Sequence, residues 1–156
     1  MRLDRFLVVG LMSGVVFAQT GSGKAKVEFM NSHEMSSPAG YSHAVVVHGG
    51  KMVFLSGQVG VNRKGEMVGK DDFRAQAAQV FANLRAELAA AGATPKDVVK
   101  LNYYVVGLNH DRVVALREVR DGFIDKAHPP ASTLAGVQAL FREDAMIEVE
   151  AVAVLP

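Results

Sequence analysis

From Ile147 to Val154 the chain alternates with a period of two, and its two sides differ in kind. Successive side chains on a strand point to opposite faces, so Ile147, Val149, Ala151 and Ala153 share one side. Glu148, Glu150, Val152 and Val154 share the other. The first side is wholly apolar and needs a covering layer of helices. The second mixes acids with exposed valines, which is awkward for a monomer and favours a partner subunit. A chain ending this way is expected to build a sheet with helices on one face.

The upstream segments supply that layer. Ala44-Val45-Val46-Val47 and Met52-Val53-Phe54-Leu55 read as short strands joined through His48-Gly49-Gly50-Lys51, where glycine takes the positive φ of a tight hairpin. Asp71 or Asp72 caps a helix in which Phe73, Ala77, Val80, Phe81, Leu84 and Leu88 recur at three and four, ending at Gly92. Val98 to Val106 is β-rich. Asn109 or Asp111 caps a second helix with Val113, Leu116, Val119 and Phe123 inward. His128-Pro129-Pro130 stops it, because proline lacks the donor and disfavours helix before it. Strands near Thr133 to Gln138 and Met146 to Val154 complete the order ββαβαββ. This is an α+β domain, a mixed sheet with both helices on one face.

The first eighteen residues read as a separate piece. Arg2 and Arg5 precede an apolar run from Phe6 to Ala18, and Val16 and Ala18 occupy the two positions read by a signal peptidase, with cleavage before Gln19. The run is shorter than the roughly 20 apolar residues a membrane span needs, so no stable membrane insertion is expected after cleavage. The expected organisation is a signal peptide over residues 1–18, a flexible lead-in over 19–36 and one domain over 37–156, secreted or periplasmic. The whole chain carries 17 Lys+Arg against 16 Asp+Glu. Without the first segment the balance is near zero, which leaves no basic face for nucleic acid. Cysteine is absent, which excludes disulfides, thiolate nucleophiles and cysteine-bound metals.

Five local motifs, in order, resemble the RidA/YjgF family, also called the endoribonuclease L-PSP family: Tyr41-Ser42-His43-Ala44-Val45, Phe54-Leu55-Ser56-Gly57-Gln58-Val59, Gln79 to Leu84 with Ala91-Gly92-Ala93, Asp97-Val98-Val99-Lys100, and Pro130-Ala131 with Ile147-Glu148-Val149-Glu150-Ala151. The resemblance implies a chorismate-mutase-like fold and a homotrimer with ligand clefts between subunits. It also implies hydrolysis of reactive enamines and imines without metal or organic cofactor. In it, Glu148 positions water, the Gly57 backbone and Tyr41 finish the pocket, Tyr104 matches an aromatic position, and Leu134 sits beside the residue that grips the substrate carboxylate. Glu150 is expected to serve a structural ion pair.

That gripping residue is usually arginine, and here it is Ser132. A guanidinium makes a bidentate charge-assisted pair with a carboxylate, whereas a hydroxyl offers one neutral donor. Losing such a pair in a desolvated cleft costs about 2–5 kcal/mol. Either Arg142 reaches into the cleft, or Ser132 and Thr133 form a neutral rim for an uncharged ligand. The second is the favoured expectation: a small carbonyl- or imine-like metabolite, with an altered specificity. An authentic imino acid deaminase using Arg142, a non-catalytic binding trimer and an endoribonuclease are the alternatives, the last disfavoured by the neutral charge. The histidines carry no metal-ligand spacing, since His43 and His48 fall on opposite faces of a strand pattern. Ser56 and Ser132 lack His/Asp partners for a triad.

Overall fold

A computed structural model describes residues 26–156. The segment read as a signal peptide lies outside the described residues. Seven strands or helices expected from the sequence are present: β2 (Ala44–His48), β3 (Lys51–Val59), α1 (Phe73–Ala90), β4 (Val98–Val106), α2 (His110–Asp121), β5 (Ala131–Val137) and β6 (Ile147–Leu155). One more precedes them, β1 (Lys26–Met30). The lead-in expected to be flexible over 19–36 is therefore structured in part. In β1, Val27 and Phe29 alternate with polar neighbours, and the strand ladders antiparallel to β2 with Lys26 opposite His48 and Met30 opposite Ala44.

A four-stranded sheet runs in the order β3-β6-β4-β5. β6 is antiparallel to both β3 and β4, while β4 and β5 are parallel. Gly49 and Gly50 do take positive φ, 99° and 100°, as the hairpin reading requires. The two strands they join are nevertheless laddered elsewhere, β2 to β1 and β3 to β6. The hairpin expectation weighed only the runs beside the glycines, and β1 supplies the competing edge.

The core forms where the expected stripes meet. Ala77, Val80, Phe81, Leu84 and Leu88 of α1 close over Leu101, Tyr103 and Val105 of β4 and over Ile147, Val149, Ala151 and Ala153 of β6, all buried. Asp72 caps α1 by accepting from the Ala75 amide at 3.1 Å, and Asn109 caps α2 through the Arg112 amide at 2.9 Å. Such caps each contribute about 1 kcal/mol. Val154, placed by alternation on the open face, is buried all the same; Val27 and Phe29 of β1 line a small cavity with it. Met52 and Phe54 on β3 stay exposed, Phe54 to 74%.

Two local devices place the end of β6. Gln76, fully buried in α1, donates to the Asp144 carbonyl at 2.8 Å and accepts from the Met146 amide at 2.8 Å. One side chain thereby fixes the loop from which β6 starts, one residue before Ile147. On β3 the register shifts between Leu55 and Gln58, so Ser56 and Gly57 form a bulge opposite Glu150. A bulge re-aims the side chains that follow it. Gln58 turns toward α1 and donates to Glu87 at 2.6 Å, which leaves Gly57 on the open face.

Candidate functional site

The bulge brings the Gly57 backbone against the end of Glu148. A β-carbon built at Gly57 would overlap the Glu148 carboxylate, lying 2.7 Å from its Cδ and 3.0 Å from its Cγ. Only a residue without a side chain allows this approach. The Glu148 carboxylate has no hydrogen-bond partner among the described residues. Burial, and after it the charge of Glu150, raises its pKa above the usual glutamate value.

Its neighbour Glu150 is treated differently. The Asn102 amide and the Tyr104 hydroxyl each donate to one Glu150 oxygen at 3.2 Å. Glu150 accepts two neutral donors, where an ion pair was expected. The same hydrogen bond and the Glu150 charge raise the Tyr104 pKa, so the phenol is held protonated as a donor. Across the sheet Tyr104 stands opposite Glu148, and Asn102 opposite Glu150. The open face therefore carries one satisfied carboxylate and one left available. Thr133 lies on this face too, opposite Asn102, with its hydroxyl accepting from Lys100 Nζ at 2.9 Å.

Ser132 and Leu134 alternate onto the other side of β5, opposite Leu101 and Tyr103. They line a cavity of about 280 Å³ together with Tyr41, Tyr103, Arg117 and Arg120. Val113 and Leu116 supply its apolar wall. Tyr41 is brought there by its neighbour: the Ser42 hydroxyl donates to the Pro129 carbonyl at 2.6 Å and its amide to the Pro130 carbonyl at 3.2 Å. The Pro-Pro step thus docks the Tyr-Ser segment, while α2 itself has already closed at Asp121 with Gly122 as its cap, before the prolines expected to stop it.

The residues singled out from the sequence accordingly fall into three places within the chain. Gly57, Glu148, Tyr104 and Thr133 are on the open face. Tyr41, Ser132 and Leu134 are in the cavity beside α2. Arg142 is in neither: it grips Asp144 through Nε at 2.9 Å and Nη2 at 2.8 Å, and donates Nη1 to the Gly65 carbonyl at 3.0 Å. It lines a different cavity, with Lys70 and Asp71.

Three residues of the α2 cavity escaped the sequence reading. Arg120 is buried, paired with Asp121 at 2.7 Å, and packed so closely under Gly40 that a side chain there would collide with its guanidinium. The signal was present, because Arg120 stands four residues after Leu116 in the apolar stripe of α2. Tyr103 falls on the buried side of β4, where burial strongly raises its pKa and its hydroxyl has no hydrogen-bond partner. Arg117, four residues after Val113, is exposed and has no ion-pair partner among the described residues.

The sequence and fold match known proteins over most of the chain. Residues 31–155 match the profile of the family described as endoribonuclease L-PSP. A 2-iminobutanoate/2-iminopropanoate deaminase from Dermatophagoides farinae is 39% identical over 116 residues, 74% of this chain and 85% of the relative. A RutC family protein from Aquifex aeolicus is 37% identical, covering 73% of this chain and 87% of the relative. Among solved structures, the Rid family protein YyfB from Yersinia pestis superposes with a TM-score of 0.74 at 39% identity, covering 83% of this chain and 98% of that one. Escherichia coli TdcF with bound serine superposes at 0.60 with 29% identity, over 77% of this chain and 91% of that one. With its two helices on one face of a mixed sheet and these matches, the chain belongs to the RidA/YjgF (endoribonuclease L-PSP) family and has that family's fold.

Proposed function

We propose that the protein is a homotrimeric hydrolase of small imine- or carbonyl-bearing metabolites, acting in clefts between subunits with a specificity altered from that of its deaminase relatives. The observation that carries this reading is the Glu148 carboxylate, partly desolvated, unpartnered and pressed against the Gly57 backbone. A carboxylate held this way is a general base awaiting a proton donor. Supporting it, the Tyr41–Ser132 cavity and the Glu148–Gly57 face are separate in one protomer, so a second copy is needed to join them. Exposed Met52 and Phe54, opposite Val154 and Val152 on the face that carries the acids, give that copy an apolar surface to cover.

The chemistry asked of the protein is modest, because an imine carbon is already electrophilic. Glu148 accepts a proton from water as its oxygen bonds to that carbon, giving a carbinolamine. Glu148 returns that proton to the nitrogen to complete the neutral carbinolamine, and then carries the hydroxyl proton to the nitrogen as the C–N bond breaks and the C=O bond forms, releasing ammonia and the carbonyl product. Placement of the water and exclusion of solvent carry the rate. The protein is further proposed to be exported, with the mature chain starting at Gln19.

The test is ammonia release from freshly generated 2-iminopropanoate and 2-iminobutanoate, with the mass in solution measured by light scattering. The expected result is a trimer that accelerates release over buffer, with Glu148→Gln at least about 100-fold slower. A monomer, or no acceleration with any imine tried, overturns the proposal. N-terminal sequencing of the protein recovered from its native host tests the export start.

A further inference from the structure

The cavity beside α2 has a charge that Ser132 alone conceals. Two arginines line it, and no acidic residue does. Asp121 is shared between Arg120 at 2.7 Å and Lys126 at 3.3 Å, so one carboxylate answers two cations. Arg117 has no counter-ion among the described residues, since the adjacent Glu118 is engaged by Arg74. The cavity floor adds an independent sign of a missing partner: Tyr103 is 3% exposed and its buried hydroxyl bonds nothing. An orphaned buried hydroxyl is costly unless something completes it.

We propose that Arg117, lining the cavity together with the buried Arg120, is the anion-holding residue of this site, and that the ligand is a small carboxylate with an apolar body. The guanidinium that the Pro-Ala step lacks is supplied from the second helix. Arg117 meets the charged end, the Ser132 and Tyr41 hydroxyls border it, and Val113, Leu116 and Leu134 take the apolar part. About 280 Å³ holds a compact acid of a few carbons. Arginine suits the task because its planar fork matches both carboxylate oxygens. The expectation of an uncharged ligand followed from Ser132 considered alone. This inference rests on taking the α2 cavity as one half of the intersubunit cleft.

The test compares 2-oxobutanoate with its methyl ester and with inorganic phosphate by titration calorimetry on the full-length mature protein. These stable probes separate recognition from turnover. The acid is expected to bind at least about tenfold more tightly than the ester. Arg117→Ala should erase that preference, and Arg117→Lys should restore part of it. Arg117 is exposed, so both variants should fold, and circular dichroism checks this. Equal binding of acid and ester, a preference that survives Arg117→Ala, no binding of 2-oxobutanoate at millimolar concentration, or phosphate binding more tightly than the acid each overturn the inference. Imine turnover that needs Glu148 but shows no acid preference would remove this inference alone. An acid preference without turnover would remove only the catalytic reading.

Discussion

Replacing Gly57 by alanine puts the reading of the Glu148 site at risk with one methyl group. The new Cβ would stand 2.7 Å from Glu148 Cδ, whereas ordinary carbon contacts begin near 3.5 Å. Glu148 Oε1 lies nearer still, so the carboxylate must retreat by more than about 1 Å. The atoms in the way are the end of a flexible side chain, so the fold loses little. An off-rotamer shift costs about 0.5–1.5 kcal/mol, and exchanging glycine for alanine at negative φ returns about 0.4–1 kcal/mol. Net stability should change by less than about 1 kcal/mol. Function is another matter, because a misplacement on the order of 1 Å costs about 100-fold in rate. Urea unfolding at fixed protein concentration reads the first quantity, and ammonia release from 2-iminopropanoate reads the second. Fixed concentration matters because an oligomer's apparent stability depends on it. The expected pairing is near-wild-type stability with turnover down by about two orders of magnitude. Turnover within a factor of about three of wild type would refute the argument that the Gly57 approach positions Glu148. A loss of several kcal/mol would refute the argument that the side chain yields.

Three further predictions rest on single groups. Because Glu148 has its folded pKa raised, the folded state holds that proton more tightly than the unfolded chain, so the residue's contribution to stability falls as pH rises through the range above the ordinary glutamate value. Glu148→Gln should therefore be more stable than wild type at neutral pH, with the gap closing below about pH 4.5, and wild-type turnover should fall as acid protonates the carboxylate; a variant equally stable at both ends counts against the desolvated base. Tyr103→Phe removes a buried hydroxyl that bonds nothing, so the ligand-free protein should gain about 1 kcal/mol in urea unfolding, and a loss of that size would mean the hydroxyl is satisfied. Arg142→Ala should lower the urea midpoint only slightly by freeing the Gly65 and Asp144 loops, and leave imine turnover within twofold, whereas a collapse of turnover would return Arg142 to the cleft.

The open face shows how a shared sheet can assign opposite tasks to two acids two residues apart. Glu150 is held by Asn102 and Tyr104 and is fixed in place. Glu148 meets only the bare backbone of a bulge, and its charge is made more costly by its neighbour's. Separation of paired carboxylates by their surroundings is a general way to set one aside for acid–base work. Here the setting apart depends on Ser56 and Gly57 being inserted opposite Glu150, for without the bulge Gly57 would turn toward α1.

Local pattern was enough to place most of the scaffold. The alternation in β6, the three-and-four stripe of α1 and the caps at Asp72 and Asn109 are short-range physics, and each is where the sequence puts it, whereas α2 closes at Asp121 with Gly122 as its cap, short of Phe123 and well before the expected stop at His128-Pro129-Pro130. The motifs led to the family by the same route, and Glu148 and Gly57 do meet. What alternation could not reveal was anything requiring two distant segments at once. β1 becomes a strand because β2 offers it an edge, and its Val27 and Phe29 then line a cavity with the buried Val154. Arg142 is engaged by Asp144 and Gly65, while Arg117 and Arg120 stand in the cavity of Ser132, because helix packing and a parallel β4–β5 pair bring α2 over β5. The chain thus determined its elements, and the face on which Glu148 and Glu150 stand, through periodicity and local steric rules. Which cations line the cavity of Ser132 was decided by packing between elements far apart in sequence, where the identity of one residue carries no record of its neighbours.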